Sequence, residues 1–255
     1  MRCAECGFTF SFERPPEDEL AGLYRDMDVA VYEAEKEGRR RTAQRHFDIV
    51  STYVEQGSLL DVGCGSGVFL HLAAQHHWKV CGVEPCLPLY RKAETLLRGR
   101  GTLSCSTLQE ASLRAASFDV ITLWDVLEHV PDPAGFLEHC RGLLKPGGYV
   151  FVNVPDADSL PARLLGEHWP LWLPEHLNYF NRQSLRLCGK RAKLTHVGFD
   201  RRPTAFSVGY ILHRLSQHRI PAAGAMHRAV GGTSLGKVIL PIQIGELLAV
   251  WRRDG

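Results

Sequence analysis

Asp61, Gly63, Gly65 and Gly67 stand at alternate positions in the run LLDVGCGSGVFL, Leu59 to Leu70, and Glu84 follows in VCGVEP. Glycines at this spacing let a chain turn sharply between a strand and a helix. They also let bare main chain, here including Cys64, approach a ligand without side-chain collision. The start of the next helix adds unpaired N–H groups and a partial positive charge, suited to a carboxylate or a phosphate. Glu84 lies 21 residues beyond Gly63, at the end of the following strand. A carboxylate there, flanked by Pro85, can accept hydrogen bonds from both hydroxyls of a ribose. These residues together imply a nucleoside-containing ligand.

Two histidines could move a proton. His129 follows a strong strand signal in Leu127-Glu128-His129-Val130, and His176 sits in WLPEHLNYFN. An imidazole titrating near neutrality is a natural acceptor for a hydroxyl proton, so both are candidate general bases. The alternative is that His129 fixes its loop and His176 anchors its segment. Trp169, Trp172, His176 and Tyr179 cluster within residues 156–183. They either line an apolar or sugar-like acceptor site that excludes water or form a small core of their own. Cys3 and Cys6 lie in MRCAECGFTF, which resembles the second half of a zinc ribbon. A structural zinc site takes four ligands. Two cysteines alone predict a remnant or truncated ribbon and no bound metal unless a second CxxC is supplied.

The elements that must position these groups alternate. Leu59–Val62 reads as a buried strand, Val68–Gln75 as a helix, Lys79–Glu84 as a strand and Leu87–Leu97 as a helix. Leu103–Leu108 is a weaker strand and Ser117–Trp124 a strong one. Ala134–Leu144 reads as a helix stopped by Lys145-Pro146-Gly147-Gly148, and Tyr149–Val154 as a fifth strand. This rhythm predicts an α/β fold with a doubly wound, mostly parallel sheet. Three parts are expected: residues 1–16 as the half ribbon, 17–56 as an N-terminal helical segment, and 57–255 as the main domain. In 17–56, Leu20, Leu23 and Tyr24 share one face and Phe47, Val50 and Val54 another. Residues 156–183 form a cap insertion after strand five. Helix and strand signals resume at Ser184–His196 and Phe199–Gly209, residues 210–241 are mixed, and Glu246–Arg252 is a last strand.

Asp61 decides the ligand. A carboxylate beside the turn repels a pyrophosphate and favours an ammonium group. S-adenosylmethionine carries an ammonium group, and NAD does not. Together LLDVGCGSG, VCGVEP, FDVITLWDVLEHVPDP and LLKPGGYVFVNVP resemble the class I, Rossmann-like S-adenosylmethionine-dependent methyltransferases over residues 57–155. The resemblance implies a seven-stranded sheet whose last strand is inserted antiparallel. It implies that Gly63, Gly65 and their neighbours hold the methionine portion, that Asp61 organises its amino end, that Glu84 binds ribose and that Asp125 lies by the methionine end. Thr107, with Leu108 and Gln109 next, falls where many relatives place an acid beside adenine. PEHLNYFNRQSL resembles a segment of saccharide- or secondary-metabolite-tailoring relatives. The expected activity is methyl transfer to a small-molecule acceptor at oxygen: a saccharide, a quinone or phenol, or a secondary metabolite. The alternatives are a NAD-linked Rossmann oxidoreductase and a non-enzymatic interaction protein that keeps the fold.

Composition bounds the rest. The chain has 255 residues, 45% hydrophobic and 23% charged, with a net charge of +2, ordinary for a soluble globular protein. The basic cluster EGRRR, Glu37 to Arg41, reads as a solvated helix face, so nucleic acid is not an expected partner. No run approaches the roughly 20 apolar residues of a membrane helix. Met1 leads directly into polar residues, and the eight cysteines read as free thiols, so a reducing cytoplasm is expected.

Overall fold

The computed structural model describes residues 1–11, 36–173, 175–200, 204–217 and 222–255. Leu20, Leu23 and Tyr24 lie outside the described residues, as do Pro15 and Pro16. A short strand β1 (Thr9–Phe10) precedes helix α1 (Lys36–Ser51). Then β2 (Ser58–Val62), α2 (Val68–Gln75), β3 (Lys79–Val83), α3 (Leu87–Leu97) and β4 (Gly101–Ser104) alternate as expected. They are followed by β5 (Phe118–Trp124), a 3-10 turn at Leu127–His129, α4 (Pro133–Leu143) and β6 (Leu144–Pro155). The cap carries α5 (Leu160–Leu165) and β7 (Asn178–Tyr179). The rest comprises α6 (Arg182–Arg191), β8 (Thr195–Asp200), β9 (Thr204–Ser207), α7 (Val208–Gln217), α8 (Ala223–Val230), β10 (Ile239–Ile242) and β11 (Glu246–Arg252).

The main sheet has seven strands in the order β4-β3-β2-β5-β6-β11-β8. β2 through β6 pair in parallel, and β11 runs antiparallel between β6 and β8. The strand order reverses direction at β2, whose neighbours are β3 and β5. Ligands collect outside the carboxyl ends of strands at such a switch point. Both faces of the sheet are buried. One packs Leu60, Ile121, Val150 and Trp251 with α4 and α6 residues. The other packs Leu59, Val120 and Phe151 against Phe47 and Val50 of α1 and Leu70 and Ala73 of α2. Burial on two faces accounts for the continuous apolar runs of these strands.

Several boundaries differ from expectation. The third strand of the rhythm ends at Ser104 rather than reaching Leu108. Its pairing with β3 stops at Ser104, opposite Val83, because β3 itself ends there. The helix expected through residue 56 ends at Ser51, although Val54 still packs on the same core. The strand expected at Phe199–Gly209 is three elements: the end of β8, then β9, then the start of α7. The earlier start follows from Lys193, whose left-handed backbone (φ 57°) ends α6 and turns the chain into β8 at Thr195. β9 leaves the main sheet and pairs with β10, so the mixed region 210–241 is a helical pair closed by its own two-stranded ribbon.

The amino-terminal segment is docked on the cap. β1 pairs antiparallel with β7, Thr9 opposite Tyr179. Phe8 packs on Phe180 at 5.3 Å between ring centroids. Arg2 pairs with Asp158 at 2.9 Å, and Asn181 donates to the Cys6 carbonyl at 3.1 Å. Cys3 and Cys6 flank a tight turn closed by Gly7 N–H to the Cys3 carbonyl at 3.0 Å.

Candidate functional site

The glycine turn joins β2 to α2 at the switch point. Gly63, Gly65 and Gly67 all have left-handed backbones, with φ of 69°, 54° and 77°. A side chain at Gly63 would strike Val126, and one at Gly67 would strike Ala93 of α3 at 2.8 Å. Gly67 therefore serves helix packing as well as the turn. The amides of the turn are not bare, which corrects the sequence expectation. Gly63 and Cys64 donate to the Val83 carbonyl at 2.9 and 3.1 Å, and Gly67 donates to Cys64. Gly65 donates to the Glu84 carboxylate at 2.7 Å. The adjacent end of β3 supplies these acceptors, so the turn is rigid before any ligand arrives. The donors left for an anion lie further on: Gly67 caps α2 with no side-chain acceptor, leaving the first-turn amides of that helix uncapped.

Glu84 is buried and bonded twice, to Gly65 and to the Cys86 amide at 2.9 Å. Burial raises its carboxyl, and the two amides oppose the rise. Each oxygen keeps a lone pair, so the carboxylate can still accept from a ribose. Asp61 is 1% exposed. Burial lifts its carboxyl to about 7, against a bond from the Thr122 hydroxyl at 2.7 Å. Asp125 follows β5 with a left-handed backbone, φ 58°, a strained conformation for a non-glycine residue. Asn153 of β6 donates to it at 2.8 Å. Its side chain is exposed, yet the protein around it removes enough water to raise its carboxyl, opposed by Asn153 and by Arg39 of α1. Thr122, Asn153 and Arg39 were not singled out from sequence. Thr122 and Asn153 had a signal: each is a polar residue inside an otherwise apolar strand.

Asp61, the glycine turn, Glu84 and Asp125 thus gather at the ends of β2, β3 and β5. Pro85 follows Glu84 directly and is half-buried. Thr107 is exposed three residues past β4, its amide and hydroxyl both held by Glu110. Leu108 is buried in the core and Cys64 is buried beneath the turn. Either can offer a ligand only main chain.

His129 and His176 are brought together, with ring centroids 4.7 Å apart. Burial makes both weak bases, lowering His129 and taking His176 to about 3. A poor proton acceptor at neutral pH does not suit the expected role of general base. Glu128, whose carboxylate lies 4.0 Å from His176 Nε2, stands in the sequence motif without a role. The aromatic cap packs within itself. Trp169 is fully buried and donates to the Ile244 carbonyl at 2.7 Å. Tyr179 uses its hydroxyl twice, on the amide and carbonyl of Leu173. With Trp172, whose indole donates to Gly166, they form a small core that holds the cap in place. Trp169 and Tyr179 thus match the second of the two readings that the sequence leaves open, a small core of the cap itself. In EGRRR, Arg40 and Arg41 pair with Glu37 at 3.0 and 3.2 Å. Among the described residues no helix is long and apolar enough to cross a membrane.

Comparison with known proteins places this geometry. The ubiquinone biosynthesis O-methyltransferase of Paracidovorax citrulli is 38% identical over 102 residues, 37% of this chain and 42% of that protein. The chain therefore spans less than half the length of that curated relative. The 1,6-didemethyltoxoflavin-N1-methyltransferase of Burkholderia thailandensis, solved with S-adenosylhomocysteine, superposes with a TM-score of 0.62 at 15% identity, covering 99% of this chain and 97% of that one. The [4+2]-cyclase SpnF superposes with a TM-score of 0.57 at 20% identity, covering 82% and 81%. A cyclase on this sheet shows that the fold alone does not fix the reaction. The profile of the methyltransferase domain matches residues 34–197, a span that holds the glycine turn, Glu84, Asp125 and the cap. The chain belongs to the methyltransferase domain family and has the fold of the class I S-adenosylmethionine-dependent methyltransferases.

Proposed function

We propose that this protein binds S-adenosylmethionine and transfers its methyl group to a hydroxyl oxygen of a small molecule. The acceptor class is a saccharide, a quinone or phenol, or a secondary metabolite. The observation that carries the reading is the pre-set turn: three left-handed glycines, the middle one bonded to Glu84, with Asp61 and Asp125 at the adjoining strand ends. The residues fit this cofactor. The uncapped start of α2 suits the carboxylate of its methionine part, Asp61 its ammonium and Glu84 its ribose. A dinucleotide would instead set its pyrophosphate beside Asp61. The cofactor supplies a methyl group already activated on positive sulfur. The chain has to position that methyl against the acceptor and exclude water. Alignment alone is worth on the order of 7–11 kcal/mol of barrier in favourable models. The named activity of the Paracidovorax citrulli relative supports oxygen as the acceptor atom.

Calorimetry with S-adenosylmethionine, S-adenosylhomocysteine and NAD, followed by a labelled methyl-transfer screen over small phenols, sugar nucleotides and lipid precursors, tests this reading. Both sulfur compounds should bind and NAD should not. Absence of binding by both sulfur compounds would overturn it. Binding of NAD in their place would favour an oxidoreductase.

A further inference from the structure

Glu128, His129 and His176 converge where the turn after β5 meets the cap. Each imidazole is oriented by a main-chain carbonyl: His129 Nδ1 lies 2.9 Å from the Glu175 oxygen and His176 Nδ1 lies 3.0 Å from the Leu171 oxygen. A carbonyl only accepts, so each Nδ1 bears the proton and each neutral ring presents the lone pair of Nε2. His176 Nε2 faces Glu128 Oε1 at 4.0 Å. One ligand-capable atom from each of the three residues lies within 4.8 Å of the others.

Glu128 is 1% exposed, and its Oε2 has no hydrogen-bond partner. A buried carboxylate whose one donor is its own backbone amide, with the second oxygen unmatched, is costly unless something neutralises it. Its acidic neighbours, Asp125 and Glu246, add to the negative potential. Arg214 of α7 is close enough to His176 to oppose its protonation, with its guanidinium donating to the Pro170 carbonyl at 2.9 Å. Both imidazoles are held through Nδ1 on carbonyls, and His176 turns Nε2 to the buried carboxylate, as metal-binding histidines do.

We propose that Glu128, His129 and His176 bind a divalent cation of the zinc or manganese class. Two imidazoles and one carboxylate suit these ions better than an all-oxygen magnesium or calcium site. Metal–ligand bonds of about 2.0–2.2 Å bring tetrahedral ligands to about 3.4 Å from one another. The three side chains therefore close by roughly an ångström on binding, drawing cap and loop together. Three protein ligands leave a position open for water or an acceptor oxygen. The proposal is independent of methyl transfer, because its test reads binding and needs no turnover.

The Cys3–Cys6 knuckle could take zinc by itself, so the test uses chelator-treated full-length protein carrying Cys3→Ser and Cys6→Ser. Calorimetry with zinc chloride and with manganese chloride should show one ion per chain. Glu128→Gln and His176→Asn, with near-ultraviolet circular dichroism as the check of folding, should each weaken it at least tenfold. Affinity unchanged in both folded variants, or no saturable binding of either ion to the parent, overturns the proposal. Should either variant lose its folded signal, cobalt(II) on the parent decides. Visible bands of a nitrogen- and oxygen-ligated ion support the site, and their absence overturns it.

Discussion

The backbone N–H of Gly65 donates to the Glu84 carboxylate at 2.7 Å across 19 residues of chain. One side chain thereby pins the glycine turn, and under the proposed function the same side chain receives the ribose. Its other oxygen holds the Cys86 amide at the start of α3. Binding and turn geometry are thus coupled through one carboxylate.

Glu84→Gln tests that coupling. An amide nitrogen cannot accept from a backbone N–H, so one of the two bonds to Gly65 and Cys86 is lost while side-chain size is kept. Each charge-assisted bond of this kind is worth about 1.5–3 kcal/mol. We expect S-adenosylhomocysteine affinity to fall by roughly tenfold or more, with the far-ultraviolet spectrum unchanged. Calorimetry checks the affinity, and an unchanged value removes Glu84 from the site.

Asp61 gives a pH prediction with a definite sign. Its folded carboxyl titrates near 7 against an ordinary value of 3.8, because burial disfavours the charge. The native state therefore holds a proton that the unfolded chain releases. The stability this proton contributes is fully present below about pH 4, declines between 4 and 7, and is lost above 7. Each unit is worth about 1.4 kcal/mol, so ionised Asp61 costs the ligand-free protein up to about 4 kcal/mol. Asp61→Asn keeps an acceptor for Thr122 and removes the charge. Denaturant unfolding should show the variant gaining on the parent from pH 4 to 7, then holding a constant lead.

The same shift governs cofactor binding. An ammonium beside Asp61 favours the ionised form, so binding near pH 6 expels a proton. Affinity for S-adenosylmethionine should rise with pH up to about 7 and level off. Calorimetry in buffers of different ionisation enthalpy counts the proton. A flat profile would separate Asp61 from the ammonium.

The motifs at the strand ends were legible because they are local. Asp61 near the end of β2, the glycines of the turn and Glu84 just past β3 have a local geometry that neighbouring residues dictate. The fate of the amides was not legible, because it depends on Val83 and Glu84 arriving alongside from the next strand. The cap kept two readings for a similar reason. Trp169 and Tyr179 have the chemistry of a sugar-binding surface, and only the partners Ile244 and Leu173 show that their polar atoms are already used. The clustering of Glu128, His129 and His176 spans 48 residues between its ends, so no local pattern announces it.

Gly67→Ala probes packing rather than chemistry. The position has φ of 77°, and an added Cβ meets the Ala93 Cβ at 2.8 Å, with Leu97 close behind. Neither a backbone Cα nor a short alanine side chain can swing away, so α2 and α3 must separate. Overpacking of this kind costs about 1–3 kcal/mol, added to about 1 kcal/mol for the left-handed backbone. Urea unfolding should show that loss, and the midpoint should fall without a change in slope.

Trp169→Phe distinguishes cap core from acceptor contact. The indole is fully buried, packs edge-on against Trp172 at 5.3 Å and donates to Ile244. A phenyl ring keeps most of the apolar area but loses the donor and leaves a buried carbonyl with one acceptor site unused, at about 1–3 kcal/mol. A core role predicts a lower melting temperature with S-adenosylhomocysteine affinity unchanged, since the indole is held by Trp172, Tyr179 and Ile244, which are not part of the glycine turn. Once an acceptor is found, that role predicts equal proportional losses in kcat for acceptors of different size, because the cap loosens for all of them. A change in KM confined to one acceptor, with the melting temperature held, would return Trp169 to the substrate site.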